Sequence, residues 1–324
     1  MKKLIFNATG KPENVLSLTD SAIPMPQAGE VLVKVKASPI NPSDIAFVEG
    51  VYGIRPQLPS GVGFEGAGII ESAGEGVDLP IGTKVSFTTV GAWSEYAIVS
   101  VKSLIPLPST MPFDVGSQVF VNPFTAWAMV HESGLRAGEW LLLTAGGSTF
   151  SQLVIQIATK KGIRTICTVR RNEQIEQLKA LGAAEVINTE EVNLIKKVRE
   201  LTDKKGVAYC FDAVGGDIAG LALQCLAYKG TLLTYGMLSQ KETPVNNGLM
   251  IFKNLHLRGF WLSSWLQEIS KEVRQQAAGE VIGMLDKGEL KVKIDKKYAL
   301  ADFKEAITHA QTEGRTGKIL LINE

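Results

Sequence analysis

The sequence predicts an α/β chain of two domains, a partly open β-barrel over the first 120 or so residues followed by a parallel sheet of six strands with intervening helices. Two observations predict it. Before Asn122 the chain is rich in short alternating runs and glycine turns; from Asn122 onward apolar strands are separated by helical segments. In the first part Val31, Val33 and Val35 alternate with Leu32, Lys34 and Lys36 after the Gly29-Glu30 turn, the mostly period-2 pattern of a half-buried strand. Gly66 to Glu71 and Lys84 to Phe87 continue it, separated by the turn-forming Gly74-Glu75-Gly76.

In the second part Leu141 to Thr144 and Arg164 to Val169 read as strands, joined by a helix from Gln152 to Lys161 that Gly162 closes. Asn172 is expected to cap the next helix, which ends at Gly182. Glu185 to Ile187, Val207 to Phe211, Thr231 to Tyr235 and Leu255 to Phe260 complete one dinucleotide-binding domain. After Ser263 an amphipathic helix leads to a last strand, Lys318 to Ile322, which should return to the first domain.

Length and composition exclude several classes. A chain of 324 residues with 45% hydrophobic and 21% charged residues can bury two cores, and is neither disordered nor fibrous. A net charge of +1 gives no field for nucleic acid or an anionic membrane, and the basic stretch Lys196, Lys197, Arg199, Lys204, Lys205 also holds Glu200 and Asp203, as a solvated face does. The apolar start at Met1 to Phe6 breaks at Asn7, too early for a signal peptide, and no later run reaches the ~18 apolar residues of a membrane span. A cytoplasmic protein with no nucleic-acid or membrane partner is expected. Cys167, Cys210 and Cys225 lie in separate elements without metal-type spacing and are expected to be free thiols, while His131, His256 and His309 neighbour no motif, so structural roles are expected for the histidines.

The chemistry concentrates between Trp140 and Arg171. A strand, a small-residue turn and a helix start offer unpaired N–H groups to a pyrophosphate. The following strand stops on Arg170-Arg171, where a chain specific for NAD places an acidic residue against the ribose 2′-hydroxyl. Two cations there favour the 2′-phosphate of NADPH and hence a reductase.

Over almost its whole length, Gly29 to Lys318, the sequence resembles the zinc-free branch of the medium-chain dehydrogenase/reductase superfamily, which includes quinone oxidoreductases and 2-enoyl thioester reductases. The resemblance rests on Asn41-Pro42-Ser43-Asp44, Gly50-Val51-Tyr52-Gly53, Val121-Asn122-Pro123, Leu153 to Ala158 and Arg258 to Ser263. The Tyr-Gly pair and the Gly-Phe-Trp-Leu-Ser run are more similar to the mitochondrial-type enoyl thioester reductases. It implies a GroES-like β-barrel catalytic domain (residues 1–121 and 263–324), a Rossmann NADPH-binding domain (residues 122–262), a site in the cleft between them and a homodimer formed through the outer Rossmann strand. Zinc-dependent relatives carry Cys where Asn41 stands and His where Phe64 stands. Amide and phenyl groups cannot replace thiolate and imidazole, so no metal is expected. The chemistry left is hydride addition to an already activated acceptor.

The resemblance implies Tyr52 as proton donor to the α-carbon of a reduced C=C, a task suited to a phenol with an unperturbed pKa near ~10; packing in a loop is the alternative. Asn41 is either a donor to substrate or ribose or a helix cap. Gly147, Ser148, Thr149 and Phe150 are implied at the pyrophosphate, Arg170 and Arg171 at the 2′-phosphate, and Asn122 on the nicotinamide side. Tyr235, Gly236, Met237 and Leu238 follow the fifth strand, Phe260, Trp261 and Leu262 end the sixth, and Lys318 completes the cofactor site. The turn departs from the family: relatives show Ser-Gly-Val-Gly, whereas Thr149 and Ser151 replace two glycines in Ala145-Gly146-Gly147-Ser148-Thr149-Phe150-Ser151. Three functions follow: an NADPH-dependent enoyl thioester reductase acting on a small-molecule substrate; an NADPH:quinone oxidoreductase; and, favoured only by the altered turn, an NADPH-binding protein with a non-catalytic role.

Overall fold

The computed structural model describes residues Met1–Glu324. They form two compact units, Met1–Pro123 with Glu280–Glu324, and Phe124–Gly279. The strands are β1 (Lys2–Phe6), β2 (Leu16–Asp20), β3 (Glu30–Pro39), β4 (Ser60–Gly61), β5 (Glu65–Ala73), β6 (Lys84–Thr88), β7 (Tyr96–Ser100) and β8 (Leu104–Pro106). Then come β9 (Trp140–Leu143), β10 (Arg164–Val169), β11 (Glu185–Asn188), β12 (Val207–Asp212), β13 (Leu226–Thr234) and β14 (His256–Gly259). The chain closes with β15 (Ile294–Ala299) and β16 (Lys318–Ile322).

The first unit has a seven-stranded sheet in the order β15-β16-β3-β5-β6-β8, with β7 also on β3, and a smaller sheet β2-β1-β4. Residue by residue, β3 pairs antiparallel with β5, β7 and β16, so the last strand does return to the first unit. Val31, Val33 and Val35 point into one core with Ile70, Val85, Phe87 and Val99. Leu32 is buried as well, because this strand is covered on both faces along part of its length. A second core packs Leu4, Phe6, Trp93, Ile319 and Leu321 against two helices, Pro42–Glu49 through Phe47 and Val48, and Phe303–Gln311 through Phe303 and Ile307.

The second unit is a parallel sheet in the order β11-β10-β9-β12-β13-β14. Counted from β9 this is 3-2-1-4-5-6, so the strand order reverses between β9 and β12, and ligands of such sheets sit beyond the strand ends at that reversal. The continuous apolar runs are buried on both faces: Leu141, Leu142, Ile166, Cys167, Cys210 and Phe211 are inaccessible to water. Only β14 lies at an edge with every residue exposed.

Two expectations of detail need correction. Asn172 does not cap the helix Ile175–Ala180; it opens a short 3₁₀ turn (Asn172–Gln174), and its amide instead donates to Glu191 at 2.7 Å and accepts from Asn188 at 2.8 Å. Long-range partners for a short polar side chain prevailed over the local one. The helix after β9 begins at Thr149, three residues before the apolar run that announced it, because Ser148 caps it. The cysteines are buried free thiols, and burial pushes Cys167 and Cys225 up to about 12, which leaves them inert as nucleophiles. His131 stacks on Trp127 at 4.7 Å, while His309 lies between Asp295 (3.1 Å) and Tyr298 (3.0 Å). No helix is long and apolar enough to cross a membrane.

Candidate active site

In the second unit the turn after β9 is pressed onto β10. The Gly146 N–H donates to the Thr168 carbonyl at 2.7 Å, and a Cβ on Gly146 would stand 2.6 Å from the Cys167 Cβ. Only glycine allows that approach. Ser148 then caps the helix Thr149–Lys160, its Oγ accepting from the Ser151 N–H at 3.1 Å. The Gln152 side chain donates to the Gly147 carbonyl at 3.1 Å and holds the turn from the helix side.

The two positions that depart from the glycine pattern face different ways. Ser151 is 1% exposed, and its hydroxyl reaches inward to the Thr144 carbonyl at 3.4 Å. Thr149, like Gly147 and Ser148, is partly exposed at the first turn of the helix. Exposed Arg170 and Arg171 follow the last residue of β10 directly. At the end of β13 the Tyr235 ring lies 4.3 Å from that of Phe150, and a Cβ on Gly236 would meet the Ala213 carbonyl at 2.6 Å. Met237 and Leu238 are exposed beyond it; Phe260 and Leu262 are partly buried and Trp261 exposed beyond β14.

Sequence reasoning missed one residue here, Asp212, the buried last residue of β12. Its Oδ1 accepts from the Thr144 hydroxyl at 2.7 Å and its Oδ2 from the Gly215 N–H at 3.0 Å, tying the loops after β9 and β12 together. The signal was an acidic residue ending an apolar strand before Gly215-Gly216. Small residues pressed against the sheet, a capped helix N-terminus and two cations at the next strand end fit a 2′-phosphorylated dinucleotide. Gly147, Ser148, Thr149 and Phe150 would hold its pyrophosphate and Arg170 and Arg171 its 2′-phosphate.

In the first unit four side chains from three separate stretches of the sequence converge in a buried cluster. Asn41 occupies the N-cap position of the helix Pro42–Glu49, where its N–H donates to the Asp44 Oδ2 at 2.7 Å. The Asp44 Oδ1 accepts from the Phe64 N–H at 2.9 Å. The Asn41 amide is engaged at both ends, donating through Nδ2 to Glu65 at 2.8 Å and accepting at Oδ1 from the Lys318 ammonium. Glu65 also accepts from the Val121 N–H at 2.9 Å, which anchors the turn next to partly buried Asn122. Asp44 and Glu65 carried no role in the sequence reading, although Asp44 stands in the Asn41-Pro42-Ser43-Asp44 motif and Glu65 follows Phe64 directly.

Gly50, left-handed at φ 78°, ends the helix Pro42–Glu49 and turns the chain so that the Tyr52 N–H donates to the Ala46 carbonyl at 3.2 Å. The Tyr52 ring packs on Phe64 at 5.3 Å, and Phe64 on Phe47 at 5.1 Å. The phenol therefore rests on an aromatic platform at the helix end.

Burial dominates the titration of the cluster. Withdrawal from water raises Glu65 from 4.5 and Asp44 from 3.8, each to about 7, and lowers Lys318 from 10.5 to about 8. Hydrogen bonds from Val121 and Asn41 to Glu65 offset part of that burial. A carboxyl whose folded pKa is raised contributes stability that is complete below its unfolded pKa and is lost as pH rises through the folded one. Glu65→Gln should therefore gain stability on the wild type between pH 4.5 and 7, by roughly 1–3 kcal/mol. Thermal unfolding of both proteins across that range checks it; a constant difference in Tm would refute it.

The alcohol dehydrogenase GroES-like domain family matches residues 27–109, and the zinc-binding dehydrogenase family residues 151–279. The mitochondrial enoyl-[acyl-carrier-protein] reductase of Xenopus tropicalis is 33% identical over 335 residues, covering 98% of this chain and 94% of the relative. Among solved structures, Escherichia coli quinone oxidoreductase complexed with NADPH superposes with a TM-score of 0.92 at 27% identity, covering 100% of both chains. The quinone oxidoreductase of Pseudomonas syringae pv. Tomato DC3000 gives 0.91 at 30% identity, covering 99% of each. The chain thus belongs to the medium-chain dehydrogenase/reductase superfamily, in the zinc-free branch of enoyl reductases and quinone oxidoreductases. It is an NADPH-dependent oxidoreductase.

Proposed function

We propose that this chain reduces trans-2-enoyl thioesters, with the unit Met1–Pro123 and Glu280–Glu324 as catalytic domain and the unit Phe124–Gly279 as NADPH-binding domain. The carrying observation is Tyr52, a phenol held on the Phe64 ring by the turn at Gly50, in a chain 33% identical to an enoyl reductase. NADPH, when bound, supplies a hydride. A hydride supplied to the β-carbon of the C=C would leave enolate charge on the thioester oxygen. Tyr52 delivers the proton to the α-carbon, either directly or through a water that it orients, and the product is the saturated thioester. Tyr52 recovers its proton from solvent. Lys318, fixed by Asn41, supplies a cation on the cofactor side, and Asn122 borders the nicotinamide. Phe260, Trp261 and Leu262 follow the sixth strand of the second unit, as Met237 and Leu238 follow the fifth, and would offer apolar contact to the nicotinamide.

The quinone reading is favoured by the names of the solved structures, which are quinone oxidoreductases. A flat acceptor that takes its charge on oxygen needs no proton on carbon, so Tyr52 is dispensable for it. Measuring NADPH oxidation with crotonyl-CoA and with a quinone separates the two. Turnover of the quinone alone would sink the enoyl reading, and tight NADPH binding without turnover of either would return the chain to a non-catalytic role.

We also propose a homodimer paired through β14. This strand is an uncovered edge, and on the helix that precedes it in the chain, Asn247–Lys253, Ile251 and Phe252 are 70% and 82% exposed. Phe252→Glu is expected to convert a species of twice 35.0 kDa into one of 35.0 kDa in sedimentation experiments. A wild type that sediments as a single chain would refute the dimer.

A further inference from the structure

The altered phosphate turn leaves a physical question open. A glycine at the position of Ser151 lets a helix lie close on its strand, and a side chain there must find room and a partner. Ser151 does so inside the protein. Its N–H and its hydroxyl both meet the Ser148 Oγ at 3.1 Å, and the hydroxyl also reaches the Thr144 carbonyl at 3.4 Å. From the far side the phenol of Tyr235 meets the hydroxyls of Ser151 and Ser148, while its ring packs on Phe150 at 4.3 Å. Burial raises the Tyr235 hydroxyl above its ordinary range, so it stays protonated and remains a donor. Thr144 is itself fixed through its hydroxyl by Asp212.

These contacts make one set of hydroxyls that joins the ends of β9, β12 and β13 to the first turn of the helix Thr149–Lys160. We propose that Tyr235 is a positioning residue for the pyrophosphate turn: through Ser151 and Ser148 it holds the helix start where a glycine-rich turn would otherwise place it, and it does not bind the dinucleotide itself. The inference rests on NADPH lying at this turn. It revises the role of Tyr235 from contact to support, and leaves the N–H groups of Gly147, Thr149 and Phe150 to the phosphates, since those of Gly146, Ser148 and Ser151 are bonded within the protein. It also accounts for both substitutions together: the residue that turned inward gained a tyrosine partner, and Thr149 stays partly exposed on the first turn of the helix.

A double-mutant cycle on the full chain tests the proposal, with NADPH and NADH each titrated by calorimetry against the wild type, Tyr235→Phe, Ser151→Ala and the double variant. The pyrophosphate is common to both nucleotides. Each single variant should therefore weaken both by the same factor, about five- to tenfold, with the NADPH-to-NADH preference unchanged. The double variant should be no weaker than the singles, because both changes break the same network. Three results would overturn the inference: unaltered affinity in the single variants, a changed preference between the nucleotides, or effects that multiply in the double variant, as two independent contacts would give. Tyr235→Phe keeps the ring on Phe150, and should it fail to fold, Ser151→Ala alone still has to weaken both nucleotides equally. A wild type that bound neither nucleotide would overturn the placement of the cofactor, a result distinct from any difference among the variants.

Discussion

Tyr52→Phe is expected to lower kcat/KM for crotonyl-CoA by about 10²- to 10³-fold, the range typical of removing a positioned general acid. The substitution deletes one hydroxyl and keeps the ring, so the packing on Phe64 and the turn at Gly50 persist. Affinity for NADPH should stay within about twofold, because the nucleotide residues lie on other segments. Solvent isotope effects give a second readout: if proton delivery becomes rate-limiting, the effect on kcat should rise in the variant. Quinone reduction should be unchanged. Equal loss with both acceptors would assign Tyr52 to packing, and no loss with either would remove it from the mechanism.

Replacing Arg170 and Arg171 together with alanine is expected to weaken NADPH about 30- to 100-fold while changing NADH by less than about threefold. Both guanidinium groups are exposed, so each phosphate contact is screened by solvent and counts for less than a buried one. For the same reason the wild-type preference for NADPH should shrink as salt is raised. The double variant should lose both the preference and its salt dependence. Retention of a strong NADPH preference would move the 2′-phosphate to other residues.

The parallel sheet was legible in the sequence because its strands are buried on both faces. Residues such as Leu141, Leu142 and Cys210 must be apolar whatever surrounds them, so the runs stand out unaided. Arg164–Val169 and Lys318–Ile322 are found where the pattern places them. Boundaries set by side chains with distant partners were not legible. Asn172 had the composition of a cap, but Glu191 and Asn188 offered better-placed partners. β13 starts at Leu226, five residues before the apolar run, because Val207 and Leu226 pair ahead of a register shift.

For the site the division is similar. Residue types alone decided that the positions of Asn41 and Phe64 lack thiolate and imidazole, and that two guanidinium groups close the second nucleotide-domain strand. Those facts concern which atoms are present at a place in the chain, and no packing can alter them. Only the tertiary structure decided that Asn41, Asp44, Glu65 and Lys318 share one buried cluster, since 277 positions separate Asn41 from Lys318. Only it decided that Ser151 points inward to Thr144 while Thr149 stays at the surface. The direction of a side chain depends on which strand ends the fold brings beside it, and that proximity is a property of the packed sheet rather than of local residue order.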